Sequence, residues 1–324
     1  MKIIKPSATL LKHNVTPYQF IERVGRLCYK SEDKIKEGSD KVFVKNLVRR
    51  EHWAMLEHET IYLSMSEKFM RDFLTNMDYE DEKLTFFNMT RNPYLDIYIL
   101  SGSFRSFHDL FEMGYNSKPL NFIKAGLQFA YPLVFGEAVD FSSDDYDYGK
   151  YDCVMLTRDE FMRRFSDRED ILFSHLTHTF KFVCDRGVSH ELVRHRVASF
   201  AQESTRYCNY GKDNEITVID PFFWESKPEA YTVWKIICED CEMAYLNLLS
   251  GGYTPQEARA VLPNSLKTEI VVTATEKEWQ HIVNLRYLGT TGAPHPQMKE
   301  VMSLAIQDLA MQSGGRIKVV KGEK

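Results

Sequence analysis

Residues 177–196 read THTFKFVCDRGVSHELVRHR and contain the change of pattern that decides the fold class. Apolar and polar residues alternate over 177–184, which predicts a β-strand with one buried face. Asp185 follows where its carboxylate can cap a helix, and the next residues, to about Val193, predict that short helix. A strand that runs directly into a capped helix is typical of a mixed α/β fold.

The rest of the chain also mixes helices with strands. One helix is predicted to begin at Pro17. Further helices are predicted over 40–50, 104–113, 231–249 and 255–260. A capping box at 275–278 predicts the start of a last helix, over 279–288. Strands are predicted over 59–65, 95–100 and 267–274, with a turn at 101–103. The acidic, aromatic stretch 141–152 is interpreted as a surface loop.

Composition and charge are those of an ordinary globular protein. The 324 residues are 44% hydrophobic and 27% charged, which excludes a disordered chain. The net charge is -5, so general binding to nucleic acid is not expected. Lys5 and Pro6 interrupt the apolar start, and no apolar run approaches the roughly 20 residues that span a bilayer. We therefore expect a cytoplasmic protein without a membrane segment.

The cysteines raise the possibility of a metal site. Six of them are too few for a disulfide scaffold in a chain of this length. Cys238 and Cys241 form a CxxC pair within the predicted helix 231–249, and His175 and His178 would complete a zinc set. Packed thiols are the simpler interpretation, because a free Cys usually behaves as a small apolar residue. A zinc-dependent nucleotide hydrolase is the alternative enzyme class.

An arginine-rich segment predicts an anion-binding site. Between residues 182 and 211 the chain has four arginines and no lysine. Arginine grips phosphate or carboxylate with two parallel N–H groups, whereas lysine acts as a point charge. Hydroxyl and amide side chains follow over 199–205, which favours selective binding of one anion. A solvated charged turn and an Arg-rich RNA-binding module are the other interpretations.

Arg286 is the second unusual arginine. In the predicted helix it recurs at helical spacing with Trp279, Ile282 and Val283, so it projects in line with an apolar stripe. Because an unpaired buried guanidinium is costly, Arg286 is expected either in an interface ion pair or in contact with a ligand.

These motifs together resemble a known family. Arg194-His-Arg196, followed after seven residues by Ser204, resembles the signature of the flavin-dependent thymidylate synthases (the ThyX family). Glu57-His58, the stretch 258–263, Asn284-Leu-Arg286 and the stretch 295–298 match in the family's order. The resemblance covers roughly 15–62 and 173–300, and is weak or absent over 66–172. It predicts a single domain over 1–324 with an insertion at about 66–172.

The resemblance implies both a fold and a reaction. The family has a compact mixed-sheet α/β domain and methylates dUMP to dTMP without an enzyme nucleophile. The carbon donor is 5,10-methylenetetrahydrofolate, and FAD reduced by NADPH carries the hydride. The implied assembly is a homotetramer with sites at subunit interfaces, and no metal or nucleic-acid partner is expected.

The resemblance also assigns roles to individual residues. Arg286 matches the arginine that helps to ionise the uracil N3, a task that suits a fixed cation in a partly apolar site. The positions that match dUMP contacts are Glu191, Arg194, Gln202, Glu203, Ser204, Thr205, Arg206, Arg259 and Arg286. The positions that match FAD contacts are Ala54, Glu57, Arg194, His195, Arg196, Gln202, Thr275, Lys277 and His281.

Several of these positions depart from the family pattern. Members often have Gln at Glu191, Glu at Gln202, and Asn or Arg at the positions of Thr275, Lys277 and His281. A carboxylate that faced a phosphate would be unfavourable, so we expect Glu191 to face the base or a neighbouring arginine.

Overall fold

The computed structural model describes residues 1–75, 86–137, 152–206, 208–212 and 215–320. The chain divides into two compact units. The first unit consists of Met1–Lys12, Arg23–Lys34 and His178–Lys324, and the second of His13–Glu22 and Ile35–Thr177. The segment 66–172 lies in the second unit, and the single-domain interpretation stays a prediction.

Strands and helices occur in both units, which confirms the mixed α/β class. The strands are β1 (Lys2–Ile4), β2 (Ser7–Leu10), β3 (Thr60–Ser66), β4 (Phe87–Asn92), β5 (Ile97–Ser103), β6 (Cys153–Leu156), β7 (Thr177–Asp185), β8 (Ser199–Gln202), β9 (Thr217–Ile219) and β10 (Lys267–Thr275). The helices are α1 (Pro17–Tyr29), α2 (Ser39–Arg49), α3 (Glu67–Thr75), α4 (Phe104–Glu112), α5 (Lys118–Ala130), α6 (Pro132–Phe135), α7 (Arg158–Arg164), α8 (Glu169–His175), α9 (Arg186–Leu192), α10 (Pro228–Ser250), α11 (Pro255–Ala258), α12 (Glu276–Val283), α13 (Pro296–Ser303) and α14 (Ile306–Gln312). In the part of the chain that the structure describes, no helix is both long and apolar enough to cross a membrane.

The first unit is built on a four-stranded sheet in the order β2-β7-β10-β8. β8 pairs antiparallel with β10, with Ala201 opposite Val271, and a separate parallel pair joins β1 to β9. Trp279 on α12 is fully buried, and its ring packs edge-on against Phe180 of β7 at 5.5 Å between centroids. The indole N–H also donates to the His178 carbonyl at 2.9 Å, so this one side chain fixes α12 on the sheet.

The second unit is built on an antiparallel sheet in the order β4-β5-β3-β6. Its core includes the stacked rings of Tyr62 and Phe161, whose centroids are 4.4 Å apart. The turn predicted at 101–103 is wrong, because these residues complete β5. Gly102 is required there by close packing: a Cβ at this position would lie 2.7 Å from the Phe87 ring.

Most other element predictions are confirmed, with shifted ends. α10 begins three residues before the predicted 231. The helix predicted over 279–288 is α12 followed by a π-helical turn, Asn284–Leu288. The surface loop predicted at 141–152 lies outside the described residues except for Asp152.

Candidate functional site

The first unit brings Arg286 together with two residues of the arginine-rich segment. The Arg286 Nη1 donates to the Glu191 carboxylate at 2.7 Å, and Nη2 donates to the Glu191 carbonyl at 3.1 Å. The Nε donates to the His195 Nε2 at 3.0 Å. The expectation that Glu191 faces a neighbouring arginine is therefore met. Arg286 and Glu191 keep 19% and 25% of their side-chain surface exposed, so a ligand can reach the pair.

Local structure explains how Glu191 and Arg286 come to lie next to each other. The Asp185 carboxylate accepts the backbone N–H of Val188 at 2.7 Å and begins α9, which carries Glu191. On the other side, Arg286 lies in the π-helical turn after α12. Single π-helical turns widen a helix and are frequent at functional sites. The turn ends at Gly289, whose φ of 64° and close approach to Gly292 exclude a side chain.

The contact with Arg286 determines the tautomer of His195. A guanidinium N–H can only donate, so the His195 Nε2 must be the lone-pair nitrogen of a neutral ring. The ring proton is then on Nδ1, which lies 3.5 Å from the Glu278 carboxylate. His195 is therefore a positioned, neutral ring between an arginine and a carboxylate.

The start of α12 supplies three of the predicted flavin positions. Thr275 caps the helix by accepting the Glu278 N–H at 3.3 Å. Glu278 was predicted to complete a capping box, but its carboxylate lies beside His195 instead. Lys277 and His281 are exposed, and the His281 ring lies 5.6 Å from the His195 ring. Sequence analysis missed Glu278 as a site residue, although its spacing of three from His281 places both on one helix face.

The end of β8 and the loop after it hold most of the other predicted nucleotide positions. Gln202 donates to the Ser189 hydroxyl at 2.9 Å, and Arg259 donates to the Thr205 hydroxyl at 3.3 Å. The Ser204 hydroxyl accepts the Arg206 backbone N–H at 3.3 Å. These contacts order the loop and leave its nucleotide contacts as predictions.

Glu203 has a different environment from its neighbours in this loop. It is buried, and its carboxylate accepts from Lys267 at 2.9 Å and from the Tyr210 hydroxyl at 3.2 Å. Lys30 and Lys267 also pair with Glu269. Glu203 therefore ties β8 to the sheet in this structure, and its contact with dUMP stays a prediction.

The pKa values in this lysine and glutamate cluster reflect the pairing. Burial opposes the charge on Lys267, but Glu203 and Glu269 raise its pKa to about 12. Burial would raise the pKa of Glu269, yet the hydrogen bonds from Lys30 and Lys267 lower it to about 2. For these two groups charged partners outweigh burial, so Lys267 and Glu269 are ionised at neutral pH.

The structure does not assemble the zinc set considered from the sequence. The ring nitrogens of His175 bond to Ser101 at 2.7 Å and Thr90 at 2.9 Å within the second unit, and burial lowers the His175 pKa to about 4. His178 instead contacts Glu276 at 2.9 Å. Within the described ranges, the metal-capable group is His195, Glu278 and His281, with ligand atoms within 4.8 Å of one another. The guanidinium donating into His195 makes this position unfavourable for a cation.

The two predicted flavin positions of the second unit lie in the short helix Trp53–His58. Glu57 accepts from the Arg105 guanidinium at 2.6 Å, and Ala54 is partly exposed one turn earlier. Arg105 had no role in the sequence interpretation, because it lies in the segment 66–172, where the resemblance is weak or absent.

Comparison with known proteins relates a part of the chain that belongs mostly to the first unit to one family. The family model described as "Thymidylate synthase complementing protein" matches residues 153–310. A flavin-dependent thymidylate synthase from Thermococcus onnurineus is 38% identical over 104 residues, which are 32% of this chain and 42% of that protein. One from Geobacter sulfurreducens is 33% identical over 129 residues, 40% of this chain and 53% of that protein. These matches confirm the resemblance noted from the motifs.

The extent of these matches is limited. The chain spans about half the length of the curated relatives it matches, 42% to 53% in the two cases above. One solved structure aligns with 99% of this chain and 100% of its own length. It is described as a UMP/dUMP methylase PolB from Streptomyces cacaoi bound with 5-Br dUMP. Its TM-score is 0.41 at 13% identity, too low to carry an argument.

Proposed function

We propose that the chain is a flavin-dependent thymidylate synthase, a methyltransferase that converts dUMP to dTMP. The observation that carries the proposal is the convergence of two distant family motifs at one point. Arg286 of the 284–286 motif bonds to His195 of the 194–196 motif across 91 positions of sequence. The family model match over 153–310 supports the same conclusion.

The donor set of the first unit fits FAD. Arg194 and Arg196, on either side of His195, and Lys277 at the start of α12 are exposed cations, which suit a pyrophosphate. His281 and Thr275 add a ring and a hydroxyl next to them. In this proposal Ala54 and Glu57 also contact the flavin, and Gln202 lies between cofactor and nucleotide. Bound and reduced by NADPH, FAD supplies the hydride of the reaction.

Arg286 is the catalytic residue of the proposed mechanism. Three of its five N–H groups are used by Glu191 and His195, and two are left for a ring carbonyl. A guanidinium held in this way stabilises negative charge on the uracil ring without losing its own proton. The side chains of Arg259, Ser204, Thr205 and Arg206 would bind the nucleotide phosphate and sugar, and the reaction needs no serine or cysteine nucleophile.

The proposal includes a homotetramer that completes each site. On α10, Val233, Ile236, Ile237 and Met243 lie on one helix face and are 51% to 62% exposed. An exposed apolar face of this kind is typical of a subunit contact. Methylenetetrahydrofolate as the carbon donor and a cytoplasmic location complete the proposal, and the six free thiols fit a reducing compartment.

The visible absorption spectrum of the purified protein is the first test. We expect flavin bands, either as purified or after FAD is added, that bleach when NADPH and dUMP are supplied without oxygen. Addition of methylenetetrahydrofolate should then yield dTMP, which chromatography detects. A colourless protein that does not take up FAD would contradict the proposal. Tight, salt-sensitive binding of RNA by that protein would instead support the RNA-binding alternative.

A further inference from the structure

The helix α4 belongs to the segment 66–172 and packs beside the short helix Trp53–His58, which carries two predicted flavin positions. β5 runs directly into α4, and it pairs with β3, the strand that follows the short helix. The Ser103 hydroxyl caps α4, and the Phe104 N–H donates to the Glu59 carbonyl at 3.1 Å. Strand pairing and cap together therefore place the first turn of α4 next to the short helix.

Two side-chain contacts join α4 to the short helix. The Arg105 Nη1 donates to the Glu57 Oε1 at 2.6 Å, and the Arg105 Nε donates to the Asp109 carboxylate at 3.3 Å. One turn further along α4, the His108 ring stacks on the Trp53 ring, with centroids 3.8 Å apart and 27° between the planes. Residues three and four apart share one face of a helix, so this face of α4 contacts the short helix near both of its ends.

The orientation of the Glu57 side chain depends on Arg105. Among the residues that the structure describes, Arg105 is the only hydrogen-bond partner of this carboxylate, and the Glu57 side chain keeps 27% of its surface exposed. Without that partner a glutamate samples several rotamers. Because Asp109 holds the guanidinium from its Nε side, Arg105 fixes the Glu57 carboxylate in one direction. The lone pairs that Arg105 does not use can still accept a hydrogen bond from a ligand.

We propose that Arg105 is a positioning residue for FAD: it holds the Glu57 carboxylate in place to accept a hydrogen bond from the cofactor, so the segment 66–172 supplies part of the cofactor site. This inference rests on the proposed function, in which Glu57 contacts the flavin. FAD offers hydroxyl and isoalloxazine N–H donors to such an acceptor, and a side chain whose rotamers are already fixed loses less entropy on binding. Arg105 lies between the carboxylates of Glu57 and Asp109. Its charge is therefore balanced, and it acts through Glu57 instead of serving as a free cation for the pyrophosphate.

A double-mutant cycle of Arg105→Met and Glu57→Ala tests this dependence. Titration of FAD into the full chain, followed by flavin fluorescence, gives the dissociation constant of each variant. Met keeps the alkyl stem of Arg105 and removes its charge and donors. We expect Arg105→Met to lower FAD affinity about five- to tenfold, because the Glu57 carboxylate must then be ordered during binding. In the Glu57→Ala background the same substitution should change the affinity by less than about 1.5-fold, since the carboxylate through which it acts is absent.

Arg91→Met is the matched control. Arg91 is an exposed arginine of the second unit that pairs with Glu67 and Asp96, and its removal should leave FAD affinity unchanged. Thermal unfolding followed by circular dichroism shows whether each variant is folded. If Arg105→Met does not fold, Arg105→Lys takes its place in the cycle, because lysine keeps the charge but offers a point charge instead of the fork. We expect this variant to lose FAD affinity about threefold, again only when Glu57 is present.

The outcomes separate this inference from the proposed function. A loss of FAD affinity that depends on Glu57 supports the inference. An equal loss with and without Glu57 overturns it, because Arg105 then acts by its own charge or only through the fold. Wild-type FAD affinity in a folded Arg105→Met protein also overturns it, and both results leave the proposed function in place. If the wild-type chain does not bind FAD, the proposed function fails and the inference with it.

Discussion

Removing the Arg316 guanidinium should destabilise the first unit strongly. Arg316 donates to the two carboxylate oxygens of Glu276 at 2.6 and 2.7 Å. The Glu276 side chain is fully buried and that of Arg316 is 13% exposed. His178 contacts the same carboxylate. Since Glu276 begins α12, this ion pair also holds the helix that carries Lys277, Glu278 and His281.

Arg316→Met keeps a side chain of similar length and removes only the charge and its donors. The Glu276 carboxylate would stay buried without its cation, a change that typically costs 3–5 kcal/mol. We expect a loss of about 3 kcal/mol in the free energy of unfolding, at the low end because His178 still contacts the carboxylate. Arg71→Met removes an exposed pair with Glu67 and should cost less than about 0.5 kcal/mol.

Urea unfolding followed by tryptophan fluorescence measures this loss, since Trp224, Trp234 and Trp279 all belong to the first unit. Adding Glu276→Gln to Arg316→Met should recover about 2 kcal/mol, because a neutral amide needs no counter-ion. An Arg316→Met protein within about 1 kcal/mol of wild type would refute the reasoning. So would the absence of coupling between the two substitutions.

Three further predictions concern catalysis and acid stability. Arg286→Lys should keep the flavin spectrum but lower turnover about 100-fold, because lysine cannot copy the planar fork; near-normal turnover would remove Arg286 from the mechanism. Ser204→Ala should keep activity within about tenfold, since among the described residues its hydroxyl bonds only to a backbone N–H of its own loop; complete loss with intact nucleotide binding would instead indicate covalent catalysis by Ser204. In the folded protein the Glu269 pKa is lowered from about 4.5 to about 2. The ionised carboxylate therefore stabilises the fold above the unfolded pKa near 4.5, and this stabilisation is lost as the pH falls toward 2. Urea unfolding between pH 5 and 3 should therefore show wild type losing about 1 kcal/mol more than Glu269→Gln, which is about half of the unscreened value over this pH range because solvent screens the pair. Parallel losses would contradict this assignment.

Local sequence determined most of the helices and strands. Asp185 caps α9 and Thr275 caps α12 as predicted, because a cap depends on a hydrogen bond to a backbone N–H three residues away. The 177–184 strand was predicted from its pattern and is confirmed as β7. The prediction at 101–103 was wrong because Ser and Gly favour a turn only where no neighbouring strand pairs with them. There, β3 and β4 pair on either side of β5.

The sequence by itself determined which residues are chemically unusual: the arginine-rich segment, Arg286 in an apolar stripe and the motifs shared with one family. Only the tertiary structure decided which of them meet. Glu191 and Arg286 are 95 positions apart, and Glu276 and Arg316 are 40 apart. Periodicity and capping act over a few residues, whereas the pairing of buried charges depends on how distant elements pack, so the partners of Arg286 had to come from the fold.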